Sequence, residues 1–350
     1  MQDKTYHQQQ GINNTLLLRQ VLSELPQYIT TYFRGIENTC APTTRLEYAR
    51  DIHSFFVFLH TTNSSLSQLT MRDIPITVLD QLMAEDFEEY LEYMKYYIKD
   101  GHEYTNNERA LKRKLAALRG LYAYLFKNDK ITSNPVLKVD MPKIHAKNII
   151  RMDANEVAEF LDNVEYGNHL TDSQKKRHEK NMPRDLAIMT LMLGTGIRVS
   201  ECVGLDIHDV DLEEEKIKII RKGGYESYVY FGDEAKQALQ AYMEIRNKQI
   251  PISGHENALF LSNQNRRITV RSIENIVKKY SSGVTPMKKI TPHKLRSTYG
   301  TALYQETDDI YLVADVLGHK DVNTTKKHYA DIDDSRKRNA RNKVQLRSDT

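Results

Sequence analysis

Six side chains between residues 198 and 329 could do chemistry together: Arg198, Lys222, His293, Arg296, His319 and Tyr329. They stand in four short motifs in fixed order. These are Gly196-Ile197-Arg198-Val199-Ser200-Glu201, Arg221-Lys222-Gly223-Gly224, His293-Lys294-Leu295-Arg296, and Leu317-Gly318-His319 followed by Tyr329. Transfer of a phosphodiester develops negative charge on its non-bridging oxygens. Two guanidiniums, always charged and forked, match that geometry better than lysines do. Arg198 and Arg296 are the candidates. Arg296 follows His293 by three residues on a stretch opened by Thr291-Pro292, so a helix there brings both to one site. A tyrosine hydroxyl has an ordinary pKa of about 10. It attacks at neutral pH only in a cationic site with an acceptor for its proton. Tyr329 is the candidate nucleophile.

Taken singly, each motif has an ordinary structural reading: a surface arginine in a turn, a hairpin lysine, a histidine at a helix end, a packed tyrosine. The ordered combination is specific, and it resembles the tyrosine recombinase/integrase family in its Xer-type form. The likeness runs through the whole chain in outline. It implies a helical core-binding (SAM-like) domain followed by a catalytic domain, closed as a C-shaped clamp around duplex DNA. It implies DNA cleavage and rejoining through a 3′-phosphotyrosyl intermediate, with strands exchanged through a Holliday junction. Within it, His293 takes a general-base or proton-positioning role, and His319 a hydrogen bond to the phosphate. Lys222 protonates the departing 5′ oxygen, and Glu201 braces the site. The phosphotyrosyl bond stores the energy of the cut, so neither ATP nor metal is required. The lack of a phosphate-cradling glycine loop and of a Cys/His cluster agrees. One departure stands out: Tyr329 follows His319 by ten positions, where nine is the commoner spacing. No other tyrosine lies beyond His319. Tyr299, Tyr304 and Tyr311 precede it at helical positions and read as packing residues.

The elements that must position these groups are mainly helical, with a small β-sheet in the second domain (α+β). Residues 1–135 read as a helical DNA-binding domain, 136–151 as a linker, and 152–350 as the catalytic domain with a C-terminal tail helix over 333–344. In the first domain, helices are expected over 14–33 with a break at Pro26, from Thr43 along Leu46, Ala49, Ile52, Phe56 and Leu59, over 79–97, and over 106–126. The last carries a basic cluster. Its apolar stripe Leu111, Leu115, Leu118, Tyr122, Leu125 leaves Lys112, Arg113 and Arg119 largely off the core, available with Arg109 for phosphates. Tyr90, Tyr93, Tyr96 and Tyr97 share helical spacing and read as packing rather than base stacking. In the second domain, Asp153 and Glu156 form a capping box. Residues 165–180 read as an exposed insertion, and Pro183 as the start of a helix that stops at Gly194-Thr195-Gly196. A short helix follows from Arg198 to Gly204. Residues 207–231 alternate as strands around the Gly223-Gly224 turn. Helices follow from Asp233, over 269–280, 292–305 and 308–317. Arg271 on the second of these is a candidate base-reading residue.

The 350 residues suit two domains, and 40% apolar with 28% charged residues is a globular composition. The net charge of +3 conceals local clustering of cations. The two cysteines, Cys40 and Cys202, form no ligand pair or disulfide framework, and Cys202 reads as a small buried residue. With no signal-like N-terminus and no long apolar run, a cytoplasmic protein with no membrane partner is expected. Its partners would be a double-stranded recombination site, three further copies in a tetramer on DNA, and an accessory protein in some systems. Two other readings stay open: a type IB topoisomerase that relaxes DNA without site preference, and a non-enzymatic DNA-binding protein of the same fold. Dimer resolution, mobile-element integration or excision, and inversion share one chemistry and are not separated.

Overall fold

The computed structural model describes residues 5–145, 150–221, 223–319, 321–323 and 325. Lys222, Tyr329 and the tail expected over 333–344 lie outside the described residues. The chain divides into two compact units, Met1–Lys147 and Asn148–Thr350.

The first unit is built on helices. α1 (Tyr6–Ser23) and α2 (Gln27–Gly35) are separated at Pro26, which stands at the N-cap of α2. α3 (Pro42–Thr62) begins with Pro42 in its first turn and Ala41 at the N-cap, so Thr43 lies inside the helix rather than capping it. The helix expected over 79–97 is two, α4 (Ile76–Gln81) and α5 (Ala84–Lys95). Leu82 and Met83 are extended, and the Asp86 carboxylate accepts the Met83 N–H at 2.7 Å, which starts a new helix. After α5 the chain turns into a hairpin absent from the sequence expectation, β1 (Tyr96–Lys99) and β2 (His102–Thr105). Asp100 and Gly101, at φ 52° and 74°, form its tight turn. α6 (Glu108–Lys127) is capped by Asn107, whose Oδ1 accepts from the Ala110 N–H at 3.1 Å.

The stripes of α3 and α6 meet in one core. Phe55 stacks on Phe87 with centroids 5.4 Å apart and meets Tyr90 edge-on. Tyr90 is buried, with its hydroxyl 2.9 Å from Ser54 Oγ. Tyr93 stacks on Tyr97, and Tyr97 on Tyr104, as packing residues do. Tyr96 departs from that pattern, because the hairpin rather than a helix carries it and leaves it exposed. The expected start of the linker also moves. A single turn at Pro135–Lys138 buries Val136, and Val139 follows it into the same core.

The second unit opens with α7 (Ala154–Tyr166), where both bonds of the Asp153–Glu156 capping box are made. The segment expected as an exposed insertion contains α8 (Asp172–Lys175) and the start of α9 (His178–Thr195). His178 anchors it through a 2.8 Å bond to the Val164 carbonyl. Pro183 therefore lies inside α9 rather than opening it; its fixed φ suits a helix, and it removes one backbone donor near the N-terminal end. α9 is the buried centre of this unit, from Ala187 through Met192. α10 (Val199–Gly204) follows, then an antiparallel sheet of β3 (Val210–Asp211), β4 (Lys216–Ile220) and β5 (Glu226–Tyr230) in that order. The register Ile217↔Val229 turns apolar side chains inward. α11 (Asp233–Arg246), α12 (Val270–Val284), α13 (Pro292–Thr307) and α14 (Ile310–Leu317) complete the described part. Gly232, not Asp233, caps α11. No described helix is long and apolar enough to cross a membrane.

A buried carboxylate locks α9 to α12. Asp185 Oδ1 accepts from Arg184 Nε at 3.0 Å, and Oδ2 accepts the Tyr280 hydroxyl at 2.9 Å. Hydrogen bonds to a charged group contribute about 1.5–3 kcal/mol. Tyr280→Phe is therefore expected to lower stability by about 2 kcal/mol, a melting shift of several degrees in a unit of this size. Thermal denaturation checks this, and an unchanged melting temperature would show that the bond does not contribute.

Candidate active site

The site grows from the end of α9. Gly196 takes the left-handed conformation (φ 63°). A Cβ there would lie 2.4 Å from the Tyr299 ring and 2.8 Å from Leu317, so only glycine turns the chain here. The turn delivers Arg198 to the N-cap of α10. Glu201, one turn on, holds Arg198 twice. Its Oε2 accepts the Arg198 backbone N–H at 2.7 Å, and its Oε1 accepts the guanidinium at 2.9 Å. Glu201 is buried, while the Arg198 side chain keeps 34% of its surface exposed. That exposure leaves a cation at the surface on a fixed base.

α13 supplies Arg296. Thr291 and Pro292 start the helix, His293 lies exposed in its first turn, and Arg296 one turn later is buried. Arg296 donates to the Gly196 carbonyl at 2.6 Å and to the Leu317 carbonyl. Leu317 ends α14, whose last carbonyls have no partner in the helix and carry partial negative charge. Two more arginines answer them. Arg221 donates to Val316 O at 2.9 Å and to Leu317 O at 3.0 Å, and Arg198 to Gly318 O at 3.3 Å. Gly318 is left-handed (φ 61°) and hands the chain to His319. The His319 N–H bonds back to Ala314 O at 2.8 Å, and Nδ1 sits 2.8 Å from the hydroxyl of buried Thr325.

The structure thus gathers Arg198, Arg296, Glu201 and the backbone of His319 around one helix end. It adds Arg221, which sequence reasoning treats only as the neighbour of Lys222. The signal was in the motif, but the carbonyls that Arg221 serves are 95 and 96 residues away. Burial pushes the Arg221 pKa down, and Arg198 adds to this, against the pull of Glu201 3.9 Å away. Arg198 and Arg221 thus face one buried carboxylate, Glu201, at 2.9 and 3.9 Å, and with Arg296 on the same helix end positive charge is in excess. Cys202 is fully buried behind this cluster, and burial pushes its thiol far above the usual range, so it is a packing residue. Tyr299 and Tyr304 pack on α14 as expected. Tyr311 does not; it is 65% exposed.

The candidate DNA contacts separate. Arg109 and Lys112 are exposed on α6, and Arg271 is exposed beside Glu274 on α12. Arg113 and Arg119 instead have partners within the unit. Arg113 pairs with Glu47 and with Asp51 at 3.1 Å, and Arg119 donates to the carbonyls of Val136 and Val139. Their place off the apolar stripe is visible in the sequence, but the acids on α3 and the carbonyls after α6 are not. Lys114 is buried against Asp51 at 3.3 Å; burial pushes the lysine down and the aspartate up, and their attraction opposes both. Among the described residues, Asp206, His208 and Asp209 form the one group of metal-ligand type. Asp206 already pairs with Arg267, and Asp209 with Lys218.

Comparison with known proteins agrees with this geometry. Residues 151–336 match the phage integrase family, and residues 29–129 match the phage integrase N-terminal SAM-like domain. The chain is 34% identical to tyrosine recombinase XerS of Streptococcus uberis, over 89% of this chain and 94% of that protein. It is 30% identical to tyrosine recombinase XerC of Caldanaerobacter subterraneus, over 93% of this chain and 87% of that one. Its fold is similar to the Tn1549 transposon integrase in complex with transposon right end DNA, with a TM-score of 0.62 and 19% identity over 88% and 98% of the two chains. The chain belongs to the phage integrase family of tyrosine recombinases, which are site-specific DNA strand transferases.

Gly196→Ala tests the turn that builds the site. The left-handed backbone alone costs about 1–2 kcal/mol with a side chain, and the collision with Tyr299 adds to it. A melting temperature several degrees lower is expected in calorimetry, with slower DNA cleavage. A variant as stable as the parent would show that the turn is not constrained.

Proposed function

We propose that this recombinase cuts DNA by attack of the Tyr329 hydroxyl on the scissile phosphorus. The new Oη–P bond forms as the P–O5′ bond breaks, leaving a 3′-phosphotyrosyl enzyme. The phenolic proton passes to His293, and the 5′ oxygen takes a proton from Lys222. Arg198, Arg296 and His319 hold the non-bridging oxygens, and Glu201 fixes Arg198. The observation that carries this reading is the convergence of Arg198 and Arg296 on the Leu317–Gly318 carbonyls, immediately before His319. A guanidinium's five donors allow it to hold backbone carbonyls and phosphate oxygens together. Return of the 5′ hydroxyl reverses the chemistry on the partner strand, so the exchange proceeds through a Holliday junction without ATP or metal.

In this reading the two units grip opposite faces of a cytoplasmic duplex site, joined by the residues after Val139. Arg109 and Lys112 on α6 and Arg271 on α12 contact DNA, the first two at phosphates. Arg113 and Arg119 keep α6 in place instead. Four copies act on two sites, the tail over 333–344 docks on a neighbouring copy, and an accessory protein sets direction where one is used.

The test uses a nicked suicide duplex of the recombination site. The parent protein is expected to form a denaturation-resistant adduct, and Tyr329→Phe none. Arg198→Ala is expected to slow adduct formation by about 100-fold or more, near 3 kcal/mol of transition-state stabilisation. A Tyr329→Phe adduct, or an Arg198→Ala rate within a few-fold of the parent, would overturn these roles. Binding should also weaken steeply with salt, because phosphate contacts release counterions. A flat salt dependence in a gel-shift titration would contradict the proposed grip.

A further inference from the structure

We propose that Arg221 is a positioning residue for strand transfer: it ties the base of the β4–β5 hairpin, which carries Lys222, to the end of α14 that leads into His319. The proposal rests on the general-acid role given to Lys222 above.

The backbone and the head of Arg221 serve two different elements. Its backbone closes the hairpin turn. The Arg221 N–H donates to Tyr225 O at 2.7 Å, and its carbonyl accepts from the Gly224 N–H at 3.0 Å. Gly223 and Gly224, at φ 102° and 83°, permit that turn. Its guanidinium meanwhile reaches the carbonyls of Val316 and Leu317, at 2.9 and 3.0 Å. Gly318 makes room for it: a Cβ there would stand 2.7 Å from an Arg221 terminal nitrogen. The side chain is only 13% exposed, and Glu201, which braces Arg198, lies 3.9 Å away. One residue therefore sets the hairpin base and the α14 terminus in register, while Glu201 holds Arg198 through its own two bonds. A lysine has a single nitrogen and cannot span two successive carbonyls as a planar fork does. A helix cap supplied by any other donor would leave the hairpin unlinked. Here the capping residue directly precedes Lys222 in the chain.

A change in leaving group reads this coupling. The suicide duplex is prepared with its normal 5′ oxygen at the scissile phosphate, and again with sulfur in that position. With oxygen, the P–O5′ bond breaks and the alkoxide must collect a proton. With sulfur, the P–S5′ bond breaks and the thiolate leaves unprotonated, because thiols are far more acidic than alcohols. Lys222→Ala is the reference: slow on oxygen and recovered on sulfur. Arg221→Gln is expected to cleave the oxygen duplex about 100-fold slower, the size of effect an ångström of misplacement produces. On the sulfur duplex it should return to within a few-fold of the parent, with site binding nearly unchanged in both. Arg221→Lys should fall between Arg221→Gln and the parent on oxygen. It is read on the same two duplexes should the glutamine variant melt below the assay temperature.

Two results would overturn the proposal: parent-like cleavage of the oxygen duplex by both variants, or equal slowing on both duplexes while Lys222→Ala recovers on sulfur. Failure of Lys222→Ala itself to recover would instead remove the general-acid reading, and the Arg221 proposal with it.

Discussion

The second unit is organised around the carbonyls at the end of α14. An eight-residue helix ends at Leu317 in a crowded place, and its last carbonyls need donors. Arg198, Arg221 and Arg296 supply them from three separate elements: the N-cap of α10, the end of β4 and the second turn of α13. Hydrogen bonds from charged donors contribute about 1.5–3 kcal/mol each, so the arrangement stabilises the fold while it concentrates positive charge. One buried carboxylate, Glu201, offsets only part of that charge. The folded protein thus holds these cations in place, and in the proposed reaction a developing phosphate charge would meet donors that need no reorganisation.

The first unit uses charge differently. Its basic helix α6 is tied to α3 by Arg113 and Lys114 on Glu47 and Asp51. Arg119 ties α6 to the chain that leaves it, through Val136 and Val139. Breaking a buried ion pair by removing one partner costs about 3–5 kcal/mol, so Lys114 and Asp51 serve α3–α6 packing. Arg109 and Lys112 remain exposed at one end of the helix. A run of cations along one helix therefore divides into structural and surface groups, according to what each meets across the interface.

This division explains how much was legible in sequence. The helical class, the Asp153–Glu156 capping box of α7, the Gly196 stop, the Gly223-Gly224 turn and the core stripes of α3 and α6 follow from local chemistry, and the sequence expresses that chemistry directly. Leu82-Met83 hid a helix break because a continuous apolar period ran across it. The β1–β2 hairpin was masked by tyrosines at helical spacing, despite its Asp100-Gly101 turn. The tertiary partners of Arg221, Arg113 and Arg119 were hidden for one reason: they lie 17 to 96 residues away, at carbonyls or acids that no local pattern reports. The chemistry of the motifs was readable because phosphodiester transfer restricts residue type, whereas tertiary hydrogen bonding of an arginine does not.

The proposed chemistry depends above all on Tyr329 as the residue that carries the DNA. The direct measurement is to isolate the covalent protein–DNA adduct, digest it with nuclease and trypsin, and locate the attached nucleotide by mass spectrometry. A phosphodiester on Tyr329 alone, linked to a 3′ end, is expected. Attachment at Tyr299, Tyr304, Tyr311 or any residue other than Tyr329, or linkage to a 5′ end, would contradict it.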